Sequence, residues 1–190
     1  MSKANAPIYQ IKITLKRSKP PIWRRVLISS ETTLPKLHDI IQAAMGWYDS
    51  HLHAFNIHGE QYSAPSPYDP GHLQEMGMKS TNRKKLNTLV SGEGDKFTYE
   101  YDFGDSWLHE IKIEKVLPPD PKQTLPVCIK GKRACPPEDI GGVWGYEEFL
   151  EAIKDPNHPQ HDDYIEWIDG DFDPEAFDLD EVNAWLKELR

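Results

Sequence analysis

The sequence predicts an α+β fold. It points to a mixed sheet of about five strands, opened by a β-grasp-like strand-strand-helix-strand unit and followed by C-terminal helices. Three observations predict it. Tyr9, Ile11, Ile13 and Leu15 alternate with polar residues, and so do Phe97, Tyr99, Tyr101 and Phe103, which is the two-residue period of a strand. Between them, Leu37, Ile40, Ile41, Ala44 and Met45 fall at helical spacing. After residue 145 the apolar period is helical to the end of the chain.

The elements follow in order. The strand ending at Leu15 is broken by Lys19-Pro20-Pro21, and Ile22 to Ile28 returns as its hairpin partner. The helix runs from about Thr33 to Met45. Thr33 can cap it, Pro35 suits its first turn, and Gly46 can end it. Leu37, Ile41 and Ala44 are the residues expected against the sheet. His53 to Ile57 reads as a strand, and residues 59–94, rich in Gly, Pro, Ser, Asn and Asp, read mainly as loop. The aromatic strand through Phe103 turns into a partner at Leu108 to Val116. Residues 117–145 hold six prolines and little periodicity, and read as one long loop. Tyr146, Phe149, Leu150 and Ile153 share a helical face that Asp155-Pro156 stops. A short helix holds Tyr164, Ile165 and Ile168 and ends by Gly170. The last carries Val182, Trp185, Leu186 and Leu189, with Asp178 and Glu181 at capping-box spacing and Phe177 as a hydrophobic staple. Residues 1–190 form one domain: 1–116 sheet and crossing helix, 117–145 long loop, 146–190 acidic helical part.

Composition narrows the function. Six Trp, eight Tyr and six Phe supply a substantial core. No apolar run approaches the roughly 18 residues of a membrane span, and Met1 to Gln10 does not read as a secretory signal, so a cytoplasmic protein without a membrane partner is expected. Residues 1–130 carry 17 Lys+Arg and 14 Asp+Glu, whereas residues 131–190 carry 5 and 17, a net of −12 in the last segment against −9 overall. Such a chain is repelled by phosphate backbones at long range, which favours a protein partner over direct duplex DNA. Basic clusters at Lys12, Lys16, Arg17, Lys19, Arg24, Arg25 and at Lys79, Arg83, Lys84, Lys85 read as solvated faces.

Two dense polar motifs mark a candidate site. The first is Asp102-Phe103-Gly104-Asp105-Ser106-Trp107-Leu108-His109. As a hairpin turn it is self-explanatory: Gly104 permits positive φ, Asp105 and Ser106 can bond the backbone, and Trp107 restarts the strand. A kinase-like reading of Asp102-Phe103-Gly104 fails, because no phosphate-binding Gly-rich loop or catalytic loop accompanies it. The second motif is Cys135-Pro136-Pro137-Glu138-Asp139-Ile140-Gly141-Gly142, followed by Trp144-Gly145-Tyr146. Its prolines present two carboxylates at low entropy cost, to bind a cation, to cap the next helix, or to pair with Arg24 or Arg25. The two motifs are expected to converge, making Asp102, Asp105, Trp107, His109, Glu138 and Asp139 the candidate binding site.

The metal reading is subordinate. Cys128 and Cys135 are thiols in a cytoplasmic chain, and zinc would need histidine to complete a set, first His109 and in reserve His51 and His53. The favoured alternative packs both thiols and buries His109 as a core residue. Asp169, Asp171 and Asp173 have calcium-loop spacing, but Pro174 stands where Gly is needed and Asp180 where Glu is needed, so calcium is not expected.

The two motifs resemble the plasmid pRiA4b ORF-3-like family, which also resembles this chain at Pro21-Ile22-Trp23-Arg24-Arg25, Met45-Gly46-Trp47, His51-Leu52-His53-x-Phe55, Gly170-Asp171-Phe172-Asp173-Pro174-Glu175 and Phe177-Asp178. The resemblance implies a link to plasmids or transposable elements and names no catalytic residues. Three readings stand: a binding or accessory protein, which is favoured; a metal-dependent enzyme acting on nucleic acid or a phosphorylated ligand; and an acidic protein-interaction module.

Overall fold

The structure is a computed structural model that describes residues 6–66, 68–69, 71–168 and 170–190. Asp169, the first acid of the calcium-like series, lies outside the described residues. The α+β class is as the sequence predicts, but the sheet is larger, with eight strands where about five were expected. They are β1 (Ile8–Leu15), β2 (Trp23–Ser29), β3 (His53–Ile57), β4 (Glu60–Ser63), β5 (Lys79–Ser80), β6 (Lys96–Tyr101), β7 (Trp107–Leu117) and β8 (Val127–Lys132). Their spatial order is β5-β4-β3-β6-β7-β1-β2-β8. Every pairing is antiparallel except the two-residue ladder of β5 on β4. The opening order β1-β2-α1-β3 is present, with the hairpin β6-β7 standing between β1 and β3, so β1 has an antiparallel neighbour on each side.

The extra strands come from the two stretches read as loop. His58 (φ 52°) and Gly59 (φ 85°) form a two-residue left-handed turn that folds β4 back on β3. In the proline-rich stretch, β8 pairs with β2 at the sheet edge. That edge is closed by a side chain: Asn183 accepts from the Cys128 amide at 2.8 Å and donates to the Cys128 carbonyl at 2.9 Å, imitating a further strand.

Helix α1 (Leu34–Met45) lies over the sheet face that carries Tyr99 and Tyr101. Thr33 caps it by accepting from the Lys36 amide, and Gly46 ends it in the left-handed conformation at φ 90°. Leu37, Ile41 and Ala44 are fully buried, as the periodicity requires. We therefore expect Leu37→Ala to cost roughly 2–5 kcal/mol, read as a lower urea midpoint. An unchanged midpoint would show that this face contributes little.

After the short α2 (His72–Glu75), helices α3 (Gly142–Lys154), α4 (His161–Trp167) and α5 (Leu179–Glu188) complete the chain. Phe149 of α3 gathers Tyr164, Trp167 and Phe172 edge-on in an aromatic group continuous with the core. Asp178 caps α5 by accepting from the amides of Asp180 and Glu181. Among the described residues, no helix is long and apolar enough to cross a membrane.

Candidate binding site

The first motif is the turn from β6 into β7. Positive φ falls on Asp102 (55°) and Ser106 (52°), not on Gly104 as the sequence suggests. A short acid tolerates this conformation when its side chain bonds locally. Asp102 Oδ1 accepts from the Gly104 amide at 2.9 Å, and the Asp102 carbonyl accepts from the Ser106 amide at 2.6 Å. The turn is further tied to its own strand, because Ser106 Oγ donates to Glu100 at 2.7 Å.

The second motif folds back onto this turn. The Gly141 amide donates to Asp105 Oδ2 at 3.1 Å. Gly142, at φ 71°, lies directly against the Asp105 carbonyl, closer than any side chain would allow. Tyr101 donates its phenol to Glu138 at 2.6 Å, and burial together with this carboxylate raises the Tyr101 pKa. The Tyr48 amide also reaches Glu138, and Trp47 Nε1 donates to the Pro136 carbonyl at 2.9 Å. The junction of the two motifs is thus assembled from hydrogen bonds to both backbone and side chains.

His51 stands at this junction. Its Nε2 lies 2.9 Å from Asp139 Oδ1 and 3.7 Å from Asp102 Oδ2, yet it makes no hydrogen bond. The side chain of Asp102 is 13% exposed and that of Asp139 is 70% exposed, so the group opens outward. Asp139, like Asp102, is left-handed (φ 60°). Of the sequence-predicted site, Asp102, Asp105, Glu138 and Asp139 therefore meet, with His51 added from the reserve pair.

Trp107 and His109 are placed differently. Both are fully buried beneath the junction. His109 Nδ1 donates to the Trp107 carbonyl at 3.0 Å, its ring meets Trp47 edge-on, and burial pulls its pKa down to about 4. It is a core histidine with one ring nitrogen unpartnered.

The expected zinc set is not assembled. Among the described residues, neither group of potential ligands within reach of one ion contains a cysteine. The reason is sheet order: β1 and β2 separate His109 on β7 from Cys128 on β8, about 14 Å at three strand spacings. Cys128 is buried, and burial raises the pKa of both thiols. The arginines are not partners of the second motif either. Arg25 forms a two-point pair with Glu114. Arg24 is buried, donates to the carbonyls of Ala44, Trp23 and Lys132, and lies over the Phe177 ring at 4.7 Å. Its charge thus sits at the negative end of α1.

A second cluster was not found from sequence. His38 of α1 stacks on His53 of β3 with ring centroids 3.6 Å apart and planes 8° from parallel. His38 Nε2 lies 2.7 Å from Asp49 Oδ1 and its Nδ1 lies 2.8 Å from the Tyr99 hydroxyl, which also accepts from Gln42 at 3.0 Å. Burial, then the neighbouring His38, lowers the His53 pKa to about 3. A signal did exist: His38 and Gln42 are polar residues four apart on the buried face of α1.

The sequence of this chain and its fold both match those of known proteins. Residues 7–181 match the family described as Plasmid pRiA4b ORF-3-like protein, and the chain belongs to it. It is 36% identical over 188 residues to Uncharacterized protein y4hQ of Sinorhizobium fredii (strain NBRC 101917 / NGR234), covering 97% of this chain and 93% of that protein. It is also similar to a crystal structure of MM3350, a protein of unknown function from Methanosarcina mazei Go1. There the TM-score is 0.79 at 38% identity, over 92% of this chain and 97% of that one.

Proposed function

We propose that this chain is an accessory binding protein that takes a basic polypeptide segment at the junction of the two motifs. The observation that carries this reading is the rim of that junction. Tyr48 is 76% exposed, and Leu52 and Phe103 are exposed as well, each adjoining a residue that holds the junction together, while Trp144, 75% exposed, follows Gly142 by two residues in the first turn of α3. Aromatic side chains held in water around carboxylates are the usual composition of a recognition surface for cationic protein groups. Asp105, Glu138 and Asp139 supply the negative charge locally, and the net −12 of residues 131–190 steers a basic partner toward it.

Synthetic basic and acidic peptides of matched length, titrated against the full chain and read by tryptophan fluorescence, test this. Basic peptides are expected to bind, and Trp144→Phe to remove most of the signal. Acidic peptides and duplex DNA near physiological salt are expected not to bind. Submicromolar, sequence-independent binding of duplex DNA, or equal response to both peptide charges, would overturn the reading.

A metal-dependent enzyme is supported by one observation, the unpartnered His51 Nε2 facing two carboxylates. One imidazole and two carboxylates suit an oxygen-preferring ion such as Mn²⁺. Mn²⁺-dependent hydrolysis of a simple aryl phosphodiester, lost in Asp102→Asn, is the expected result on this reading. No turnover with Mn²⁺ would retire it.

A further inference from the structure

We propose that His38, His53 and Asp49 form a site for one divalent transition-metal ion of the zinc and cobalt type, separate from the motif junction. A ligand nitrogen from each histidine and an oxygen of Asp49 all lie within 4.8 Å of one another. His53 Nε2 is buried and has no hydrogen-bond partner, although an unpaired polar atom in that position ordinarily finds one. The two rings are brought together by α1 and β3, elements fixed by the core.

The surroundings fit a ligand set. Gln42 donates to the Tyr99 hydroxyl, which fixes the far nitrogen of His38. An ion on His38 Nε2 requires the tautomer in which Nδ1 carries the proton and donates to the Tyr99 oxygen, and a hydrogen bond of that kind orients a metal-binding imidazole. The Gln42 carbonyl oxygen in turn accepts from the Asp49 amide at 3.0 Å, so the same side chain positions the loop carrying the carboxylate. Asp49 is held left-handed at φ 56°, and its side chain is 59% exposed, which leaves the ion a route from solvent. Two imidazoles and one carboxylate select zinc, cobalt or nickel over calcium and magnesium, which prefer all-oxygen shells. Three protein ligands leave at least one position for water or a further ligand.

The metal-free chain titrated with Co²⁺ gives the test, because cobalt in a nitrogen-oxygen site shows visible absorption. One equivalent is expected to produce the bands, and Zn²⁺ to displace them. Asp49→Asn lies at the surface and should fold normally while binding at least tenfold more weakly. His53→Ala should remove the bands, Tyr99→Phe should weaken binding about 10–100-fold, and His51→Ala should leave it unchanged. Absence of bands in the wild type, or bands kept in Asp49→Asn and lost in His51→Ala, would overturn the assignment. The peptide reading of the junction is unaffected by either result, since its probe and its variant are different.

Discussion

Gly142→Ala is expected to destabilise the fold by roughly 2–6 kcal/mol, combining a left-handed backbone at a non-glycine residue with overpacking. Gly142 has φ 71°, and a methyl group there would overlap the backbone carbonyl of Asp105. Neither neighbour can yield by rotating a side chain, because the obstructing atoms belong to the main chain. Relief requires the first turn of α3 to withdraw from the β6-β7 turn, breaking the Gly141 to Asp105 hydrogen bond. The loss should appear as a lower urea midpoint together with weakened peptide binding. Asp105→Gly in the same chain should not restore stability, since the carbonyl remains. A wild-type midpoint in the Gly142→Ala variant would show that the two motifs do not depend on this contact.

The parts of this fold that were legible in sequence are those in which a local period and a local cap agree. For α1, Thr33, Pro35, the apolar spacing and Gly46 each point to the same boundaries, and the structure has them. Asp178 marks the start of α5 in the same way. The strands β4, β5 and β8 were not legible because they lack that agreement. They have four, two and six residues, and they owe their strand state to ladder partners set by the rest of the sheet. Of these, β4 did leave a trace, the two-residue His58-Gly59 turn directly after a readable strand.

The candidate site divides similarly. Motif residues clustered in sequence, such as Asp102 with Asp105 and Glu138 with Asp139, were visible as dense acids beside glycines. Their meeting depends on Gly142 closing against Asp105, a tertiary contact that composition does not show. His38 and Asp49 were hidden for a different reason. Each is an isolated polar residue in its own segment, and His38 meets His53 only because α1 crosses the sheet above β3. The zinc expectation failed on sheet order, since sequence proximity between β7 and β8 conceals the two strands that lie between them.

Acidification should destabilise the metal-free chain through His109 and Glu114, whose windows follow one another, with His53, whose pKa burial also lowers to about 3, adding to the upper window. His109 is fully buried, and burial holds its pKa at about 4 against an ordinary value of 6.5. Between those values the unfolded chain binds the proton and the folded chain does not, so stability is complete above pH 6.5 and falls as pH drops to about 4. The loss over that window is about 3 kcal/mol. Glu114 acts next. Its hydrogen bonds from Arg25 lower its pKa to about 2 from 4.5, so the stability it contributes is complete above pH 4.5 and is lost as pH falls through about 2. Its share is up to about 3 kcal/mol, reduced by screening because the pair is partly exposed. Urea denaturation followed from pH 8 to pH 3 is the measurement. In wild type the midpoint should already decline below pH 6.5, where no carboxylate of ordinary pKa has begun to titrate. His109→Leu should be less stable at pH 8, having lost the bond to the Trp107 carbonyl, but should change less than wild type between pH 6.5 and 4. Glu114→Gln should keep the upper decline and lose the lower one. Parallel curves for wild type and His109→Leu across the upper window would show that His109 is not the group that takes up the proton.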